Sequence, residues 1–99
     1  MMNITKTKNG SNLSIALEGK LDTTTAPDLD KVFAENLGGV ENLVIDMEKL
    51  EYISSAGLRS LLVAQKTMNK QGSMKIKNVN ELIMEVFNIT GFVDILTIE

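Results

Sequence analysis

The sequence contains no histidine and no cysteine among its 99 residues. Histidine is the commonest general base and the commonest metal ligand, and cysteine supplies thiolate nucleophiles and disulfides. A zinc or iron site would have to be built from carboxylates alone, and no such cluster stands out along the chain. We therefore expect a protein that is not an enzyme and that holds no metal or cofactor of its own.

Long apolar runs and basic clusters are missing as well. No stretch of about 18 apolar residues is present, which argues against a membrane span, and residues 1–6 lack the apolar stretch of a signal peptide. The net charge is −3, whereas a nucleic-acid-binding protein normally carries a basic patch that neutralises phosphates. Together with the lack of cysteine, these absences lead us to expect a cytoplasmic protein that binds neither nucleic acid nor membrane.

The residues that are present predict a single α/β domain over residues 1–99. Two stretches of strand-like alternation flank Asn9-Gly10, which is a strong hairpin signal. Helical spacing and strand-like runs then alternate, with helices predicted at 26–37, 55–70 and 82–87 and strands at 43–46, 74–77 and 93–98. The order β-β-α-β-α-β-α-β predicts a mixed, mostly parallel sheet of about five strands with packed helices and an antiparallel first strand.

The joint between the third predicted strand and the second predicted helix carries two adjacent hydroxyls, Ser54 and Ser55. The strand itself, Leu43-Val44-Ile45, does not alternate, which is typical of a central strand covered on both faces. Nucleophilic catalysis at the serines is disfavoured, because Ile53 stands where the Gly-x-Ser-x-Gly motif needs glycine and no histidine can activate the hydroxyl.

Two interpretations of this serine pair remain open from the residues. A serine here can simply cap the helix. Alternatively, Ser55 can accept a phosphoryl group, whose negative charge is tolerated at a helix N-terminus. Arg59 lies four residues later, hence on the same helix face, and is long enough to reach a phosphate on Ser55.

A second candidate loop follows the second predicted strand. Asp22 precedes three threonines and Ala26-Pro27, which is a favourable start for a helix. Asp22 can be a turn residue that bonds its own backbone, or it can have a functional role. The residues leave both interpretations open.

Three stretches of the chain resemble the successive landmarks of the STAS domain family. They are Leu17-Glu18-Gly19-Lys20-Leu21-Asp22, then Leu43-Val44-Ile45-Asp46, then Tyr52-Ile53-Ser54-Ser55-Ala56-Gly57-Leu58. In element order and length the resemblance covers essentially the whole chain. It is nearest in pattern to the stand-alone bacterial anti-sigma factor antagonists, and its most specific part is Ser-Ser-Ala-Gly-Leu.

The resemblance implies regulation of transcription by partner switching. In that family the unphosphorylated antagonist binds an anti-sigma factor, which is also a serine kinase, and so frees the sigma factor. The kinase then phosphorylates the antagonist, and a phosphatase resets it; ATP and magnesium are bound by the kinase, not by the antagonist. The family's acceptor position falls on Ser55, so the resemblance implies that this chain is a phosphoprotein, with Ser54 as the rival acceptor. The implied partner-binding residues are Asp22, Thr23, Thr24, Ser54, Ala56, Gly57 and Arg59.

The sequence departs from the family pattern at two positions of this segment. Ser54 stands where the family has aspartate, and Arg59 replaces a frequent glycine. Both changes alter the charge that a kinase would meet next to Ser55. The alternative function is that of an accessory subunit of a transporter or signalling complex, a STAS domain that works without being phosphorylated.

Overall fold

The computed structural model describes residues 2–99 as one four-stranded sheet with three α-helices. The strands are β1 (Met2–Asn9), β2 (Asn12–Leu21), β3 (Asn42–Ile53) and β4 (Ser73–Lys77), and they lie in that order across the sheet. The helices are α1 (Ala26–Asn36), α2 (Ser55–Asn69) and α3 (Glu81–Thr90), and a short 3-10 helix follows at Phe92–Asp94. Within residues 2–99, no helix has both the length and the apolar character needed to cross a membrane.

The predicted hairpin and mostly parallel sheet are confirmed. β1 pairs antiparallel with β2, whereas β2 with β3 and β3 with β4 pair in parallel. Each parallel pair is joined by one helix, and the strands follow one another in the same direction across the sheet. Because such crossovers share one hand, this order places the connecting helices on the same face of the sheet.

The burial pattern shows the same two-layer arrangement. Along β2, Leu13, Ile15 and Leu17 are buried while their neighbours Ala16 and Glu18 are exposed. The helices pack against the buried face and complete a single core. The largest fully buried side chains that the helices contribute to it are Leu29 of α1, Leu61 and Met68 of α2, and Phe87 of α3.

Two register shifts in β3 determine where its C-terminal end lies. The register against β2 shifts twice, each time by one extra residue of β3, so twelve residues of β3 run beside ten of β2. Met47, Leu50 and Ile53 are therefore all buried, although they are spaced by three rather than by two. The strand ends with Ile53 under the start of α2, next to Leu21 at the end of β2.

Two features of the sheet differ from the prediction. The central strand β3 is covered on one face only: Val44 and Asp46 are half-buried and Glu48 is exposed on the other face. The uninterrupted apolar run misled the prediction because Val44 lies on the outer face.

The predicted fifth strand is reduced to one paired residue, Ile98 beside Ile76. Gly91 ends α3 in the left-handed conformation with φ of 80°, and the next residues turn back on themselves. The N–H of Leu96 donates to the carbonyl oxygen of Phe92 (2.9 Å), and Leu96 is buried by this turn. Only the last few residues remain to run beside β4.

Candidate functional site

The ends of β2 and β3 bring the two candidate loops together at one edge of the sheet. The backbone N–H of Ser54 donates to the carbonyl oxygen of Leu21 (2.9 Å), which joins the two strand ends directly. Between the loops lies a shallow depression. It is lined by Thr23, Ala26, Pro27, Asp30, Ser55, Ala56 and Arg59. The two segments singled out from the sequence therefore form one surface.

Ser54 is the N-cap of α2. Its backbone is extended, with φ of −102° and ψ of 177°, and its hydroxyl oxygen accepts a hydrogen bond from the N–H of Gly57 (3.5 Å). Its carbonyl oxygen accepts a hydrogen bond from the N–H of Leu58 (2.9 Å), and its side chain is half-buried. Ser54 is therefore engaged in starting the helix at both its side chain and its carbonyl group.

Ser55 is the first residue of α2 and is exposed. Its hydroxyl forms no hydrogen bond with any other group of residues 2–99. The first N–H groups of a helix have no partners within the helix, and they carry partial positive charge. A negative group attached to Ser55 would lie beside them without displacing an existing contact.

Gly57 allows α2 to begin close to the sheet. It is buried, and a Cβ atom at this position would lie 2.6 Å from Cγ of Leu21 and 2.9 Å from Cγ1 of Ile53. A side chain would therefore push the first turn away from the strand ends. Gly57 shapes the surface from beneath it, and the half-buried Ala56 lies at the rim of the depression.

Asp22 fixes the shape of the neighbouring loop. One carboxylate oxygen, Oδ1, accepts hydrogen bonds from the Thr24 hydroxyl (2.7 Å), the Thr24 N–H (2.9 Å) and the Thr25 N–H (3.1 Å). The Thr24 hydroxyl, together with these backbone N–H groups, holds the pKa of the Asp22 carboxyl below its usual value. The loop thus has the geometry of a turn aspartate bonding its own backbone, with Thr23 and Thr24 exposed at its tip.

Sequence reasoning overlooked the specific role of Thr25. It is buried, and its hydroxyl donates to the carbonyl oxygen of Lys20 (2.8 Å) while accepting from the N–H of Asp22 (2.8 Å). Thr25 occupies the N-cap position of α1, but its side chain makes no capping hydrogen bond there. The run of three threonines after Asp22 was the available signal, yet which hydroxyl points inward is decided by the path of the chain.

Arg59 lies on the rim of the depression and is exposed. The one ion pair shorter than 4 Å within residues 2–99 joins Lys75 to Glu99, so Arg59 is not held by a carboxylate. Asp30 of α1, which the sequence had not suggested, lines the same depression. Across residues 2–99, no group of three or more acidic side chains is placed to hold a metal ion.

The chain is similar in sequence to known proteins of similar length. The sequence model of the STAS domain matches residues 3–99. BtrV of Bordetella bronchiseptica, assigned as an anti-sigma factor antagonist, is 34% identical over 98% of this chain and 85% of its own. The anti-sigma-B factor antagonist of Bacillus subtilis is 29% identical over 98% of this chain and 90% of its own.

Solved structures share the fold at lower identity. An anti-sigma factor antagonist from Mycobacterium paratuberculosis superimposes with a TM-score of 0.89 at 18% identity, covering 99% of this chain and 85% of that one. The phosphorylated form of SpoIIAA from Bacillus gives a TM-score of 0.68 at 16% identity, covering 98% and 91%. A sulfate transporter family protein from Wolinella succinogenes gives 0.77 at 18% identity, covering 92% and 75%.

The two serines are predicted to differ in their effect on stability. Ser54→Ala removes the capping oxygen and should lower the free energy of unfolding by about 0.5–1 kcal/mol, at the low end because the bond is long. Ser55→Ala removes a hydroxyl that has no hydrogen-bond partner among residues 2–99, and it should change the free energy of unfolding by less than about 0.5 kcal/mol. Urea denaturation of the two variants measures the difference, and the opposite order would make Ser55 the cap.

The Asp22 carboxyl is predicted to titrate below the usual aspartate pKa of about 3.9. A pKa lowered by folding adds stability above the unfolded-state pKa, and this contribution is lost as the pH falls through the folded-state value, hence below about pH 4. Thr24→Val should raise the pKa of Asp22, as followed by NMR of the carboxyl carbon. Thr23→Val is the matched control, because Thr24 and Thr25 are the described residues that donate to this carboxylate. An unchanged pKa in Thr24→Val would contradict the assignment.

Proposed function

The chain belongs to the STAS domain family, and on that basis we propose that it is an anti-sigma factor antagonist inactivated by phosphorylation of Ser55. In its unphosphorylated form it binds an anti-sigma factor and thereby frees a sigma factor for transcription. Relatives of this description match nearly the whole length of the chain. The fold alone does not distinguish this function, because a sulfate transporter family protein has the same fold.

The choice of Ser55 as the acceptor is based on the difference in hydrogen bonding and exposure between the two serines. Ser54 caps α2, whereas the hydroxyl of Ser55 is exposed and without a partner in residues 2–99. A kinase can take an exposed hydroxyl into its active site without breaking a contact of the substrate. Phosphorylation of Ser54 would have to displace the cap of the helix first.

The phosphoryl transfer itself is carried out by the partner. The anti-sigma factor binds ATP and Mg²⁺, the Ser55 oxygen attacks the γ-phosphorus, and the bond to the β-phosphate oxygen breaks to leave ADP. The hydroxyl proton passes to a base of the kinase. A serine phosphatase later hydrolyses the phosphoserine with water, restoring Ser55 and releasing inorganic phosphate. This chain supplies the acceptor and the docking surface.

The docking surface is formed by the two loops and the first turns of α2. Thr23 and Thr24 project from one loop, and Ser55 and Arg59 from the helix, while Asp22 holds the loop in shape. A phosphoryl group at the centre of this surface adds a charge of roughly −1.5 to −2. A partner interface built around the uncharged Ser55 would lose affinity, because the charge would be desolvated or repelled there.

Arg59 distinguishes this chain from the family pattern. A cation one helical turn beyond Ser55 lies within reach of a phosphate on the same helix face. It also replaces a frequent glycine by a long side chain on the docking surface. We propose that it helps to select the cognate kinase, which would need an acidic group opposite it.

A transporter accessory subunit remains the alternative. A sulfate transporter family protein shares the fold, at an identity that carries no further conclusion. The antagonist proposal is favoured because both sequence relatives described above carry that description over their matched length, and because the acceptor hydroxyl is present and exposed. Recovery of a membrane transport ATPase and no kinase from native cell extract would support the alternative.

Phosphate transferred by the cognate anti-sigma kinase is predicted to be found on Ser55. Incubation with the kinase, ATP and Mg²⁺, followed by peptide mass spectrometry, should give one phosphate per chain at this residue. Ser55→Ala should abolish the labelling, whereas Ser54→Ala should retain it, because its acceptor is intact. Full labelling of Ser55→Ala would exclude Ser55 as the acceptor.

A negative charge at position 55 is predicted to weaken kinase binding without destabilising the fold. Ser55→Asp should lower the affinity by about tenfold or more, equal to about 1.4 kcal/mol, while the thermal midpoint stays constant because the charge lies at a helix N-terminus. Ser55→Asn has nearly the same shape without the charge and serves as the matched control. Calorimetric titration with the anti-sigma factor measures the affinities, and equal loss in both variants would show that shape, not charge, is responsible.

A further inference from the structure

The last helix of the chain exposes apolar side chains on its outer side. Leu82 is 56% exposed and Ile89 is 77% exposed, the highest value among the large apolar residues. The turn that follows α3 and packs against it exposes two more, Val93 at 37% and Ile95 at 45%. Four of the six large exposed apolar side chains among residues 2–99 therefore lie between residues 82 and 95.

The two exposed apolar residues of α3, Leu82 and Ile89, form one stripe with the half-buried Val86 between them. Leu82, Val86 and Ile89 are separated by four and three residues, which places them on one side of the helix. The adjacent side, about 100° round the helix, carries Ile83 and Phe87, which are fully buried in the core. We call the stripe of Leu82, Val86 and Ile89 the α3 face.

Helix α3 therefore has a second apolar side next to the one that faces the sheet, and its polar side is narrowed to Glu81, Glu85 and Asn88. A helix of a globular protein normally has one apolar side, which is covered, and one polar side, which faces solvent. An apolar patch of neighbouring residues in the open marks an interaction surface, whereas scattered apolar residues do not. The second side of α3 is therefore suited to a partner.

The charges around the α3 face restrict the kind of partner. Helix α3 carries Glu81 and Glu85 and no lysine or arginine, and Asp94 lies in the turn that follows it. Glu85 is exposed three residues after Leu82 and borders the stripe. Two copies of the chain meeting through their α3 faces would bring these acidic groups together, and an anionic membrane would repel them.

We infer that the α3 face binds an amphipathic helix of another protein, whose apolar residues are flanked by lysine or arginine. Apolar side chains at i, i+4 and i+7 match the spacing by which one helix lies along another. Basic residues beside the partner's stripe pair with Glu81 and Glu85, so the charges select the partner and its orientation.

This surface is separate from the Ser55 surface. None of the residues that line the depression at Ser55 belongs to α3. The inference therefore does not depend on the proposed phosphorylation. An antagonist with both surfaces can hold a second protein while its acceptor is engaged by, or released from, the kinase.

The test uses the full chain and a synthetic amphipathic peptide of leucine and lysine, about 18 residues or five helical turns long. Backbone NMR titration should show shifts confined to residues 81–96. Ile89→Lys should weaken binding about tenfold, because it places a charge in the apolar contact at its most exposed residue. A peptide with glutamate in place of lysine should bind at least about tenfold more weakly than the lysine peptide.

Val63→Lys is the matched control. Val63 lies on α2, is 55% exposed and is also apolar, so its replacement changes the net charge by the same amount. Val63→Lys should leave the affinity for the lysine peptide within about twofold of that of the unaltered chain. Both variants reduce the overall attraction between the acidic chain and the basic peptide equally, so any further loss in Ile89→Lys is due to the α3 face. Ser55→Asp should also leave the affinity unchanged, which separates this inference from the proposed function. Thermal melting checks that Ile89→Lys is folded.

Three results would overturn the inference. Shifts spread over the whole chain, or equal weakening by Ile89→Lys and Val63→Lys, would show binding by charge alone. Self-association of the chain that Ile89→Lys abolishes, seen by sedimentation, would assign the α3 face to a second copy. Binding to neutral phosphatidylcholine vesicles through the same residues would assign it to a lipid surface.

Discussion

The close contact between the first turn of α2 and the ends of β2 and β3 is the constraint on which the rest of the structure depends. Gly57 leaves the space into which Leu21 and Ile53 pack, and the N–H of Ser54 donates to the carbonyl oxygen of Leu21. The two register shifts along β3 are what carry Ile53 to this place with its side chain inward. Because the helix begins so near the sheet, Ser55 is held outward at a fixed point.

The same contact divides the work between two adjacent hydroxyls. The Ser54 oxygen caps the helix, whereas the Ser55 hydroxyl is exposed and has no hydrogen-bond partner among residues 2–99. The neighbouring loop shows the same division between structural and exposed residues. Asp22 holds the backbone in shape, and Thr23 and Thr24 are exposed. The result is a surface with two exposed threonines on one side and an exposed serine hydroxyl on the other.

The one-sided sheet determines which side of the last helix is exposed. All the helices lie on one face, so α3, the last of them, has its inner side against the sheet and its outer side in solvent. Two separate regions of different chemical character result, one at Leu82 and Ile89 and the other around Ser55. One is apolar and bordered by acidic residues, and the other is polar with Arg59 at its rim.

The sequence by itself determined the order of the elements, the hairpin at Asn9-Gly10 and the place of the serines at a strand-to-helix joint, since these depend on residues close together in the chain. The resemblance to STAS domains then pointed to Ser55. Only the tertiary structure decided that Ser54 is the cap and that Asp22 bonds its own loop. It also decided that one face of β3 is open and that the predicted strand at 93–98 is mostly a turn. The bonds of Ser54 and Asp22 are local, but the place where α2 begins is fixed by the contact of Ser54 with the distant Leu21. The open face of β3 and the final turn depend on which distant segments pack together, and a local pattern of apolar and polar residues does not contain that information.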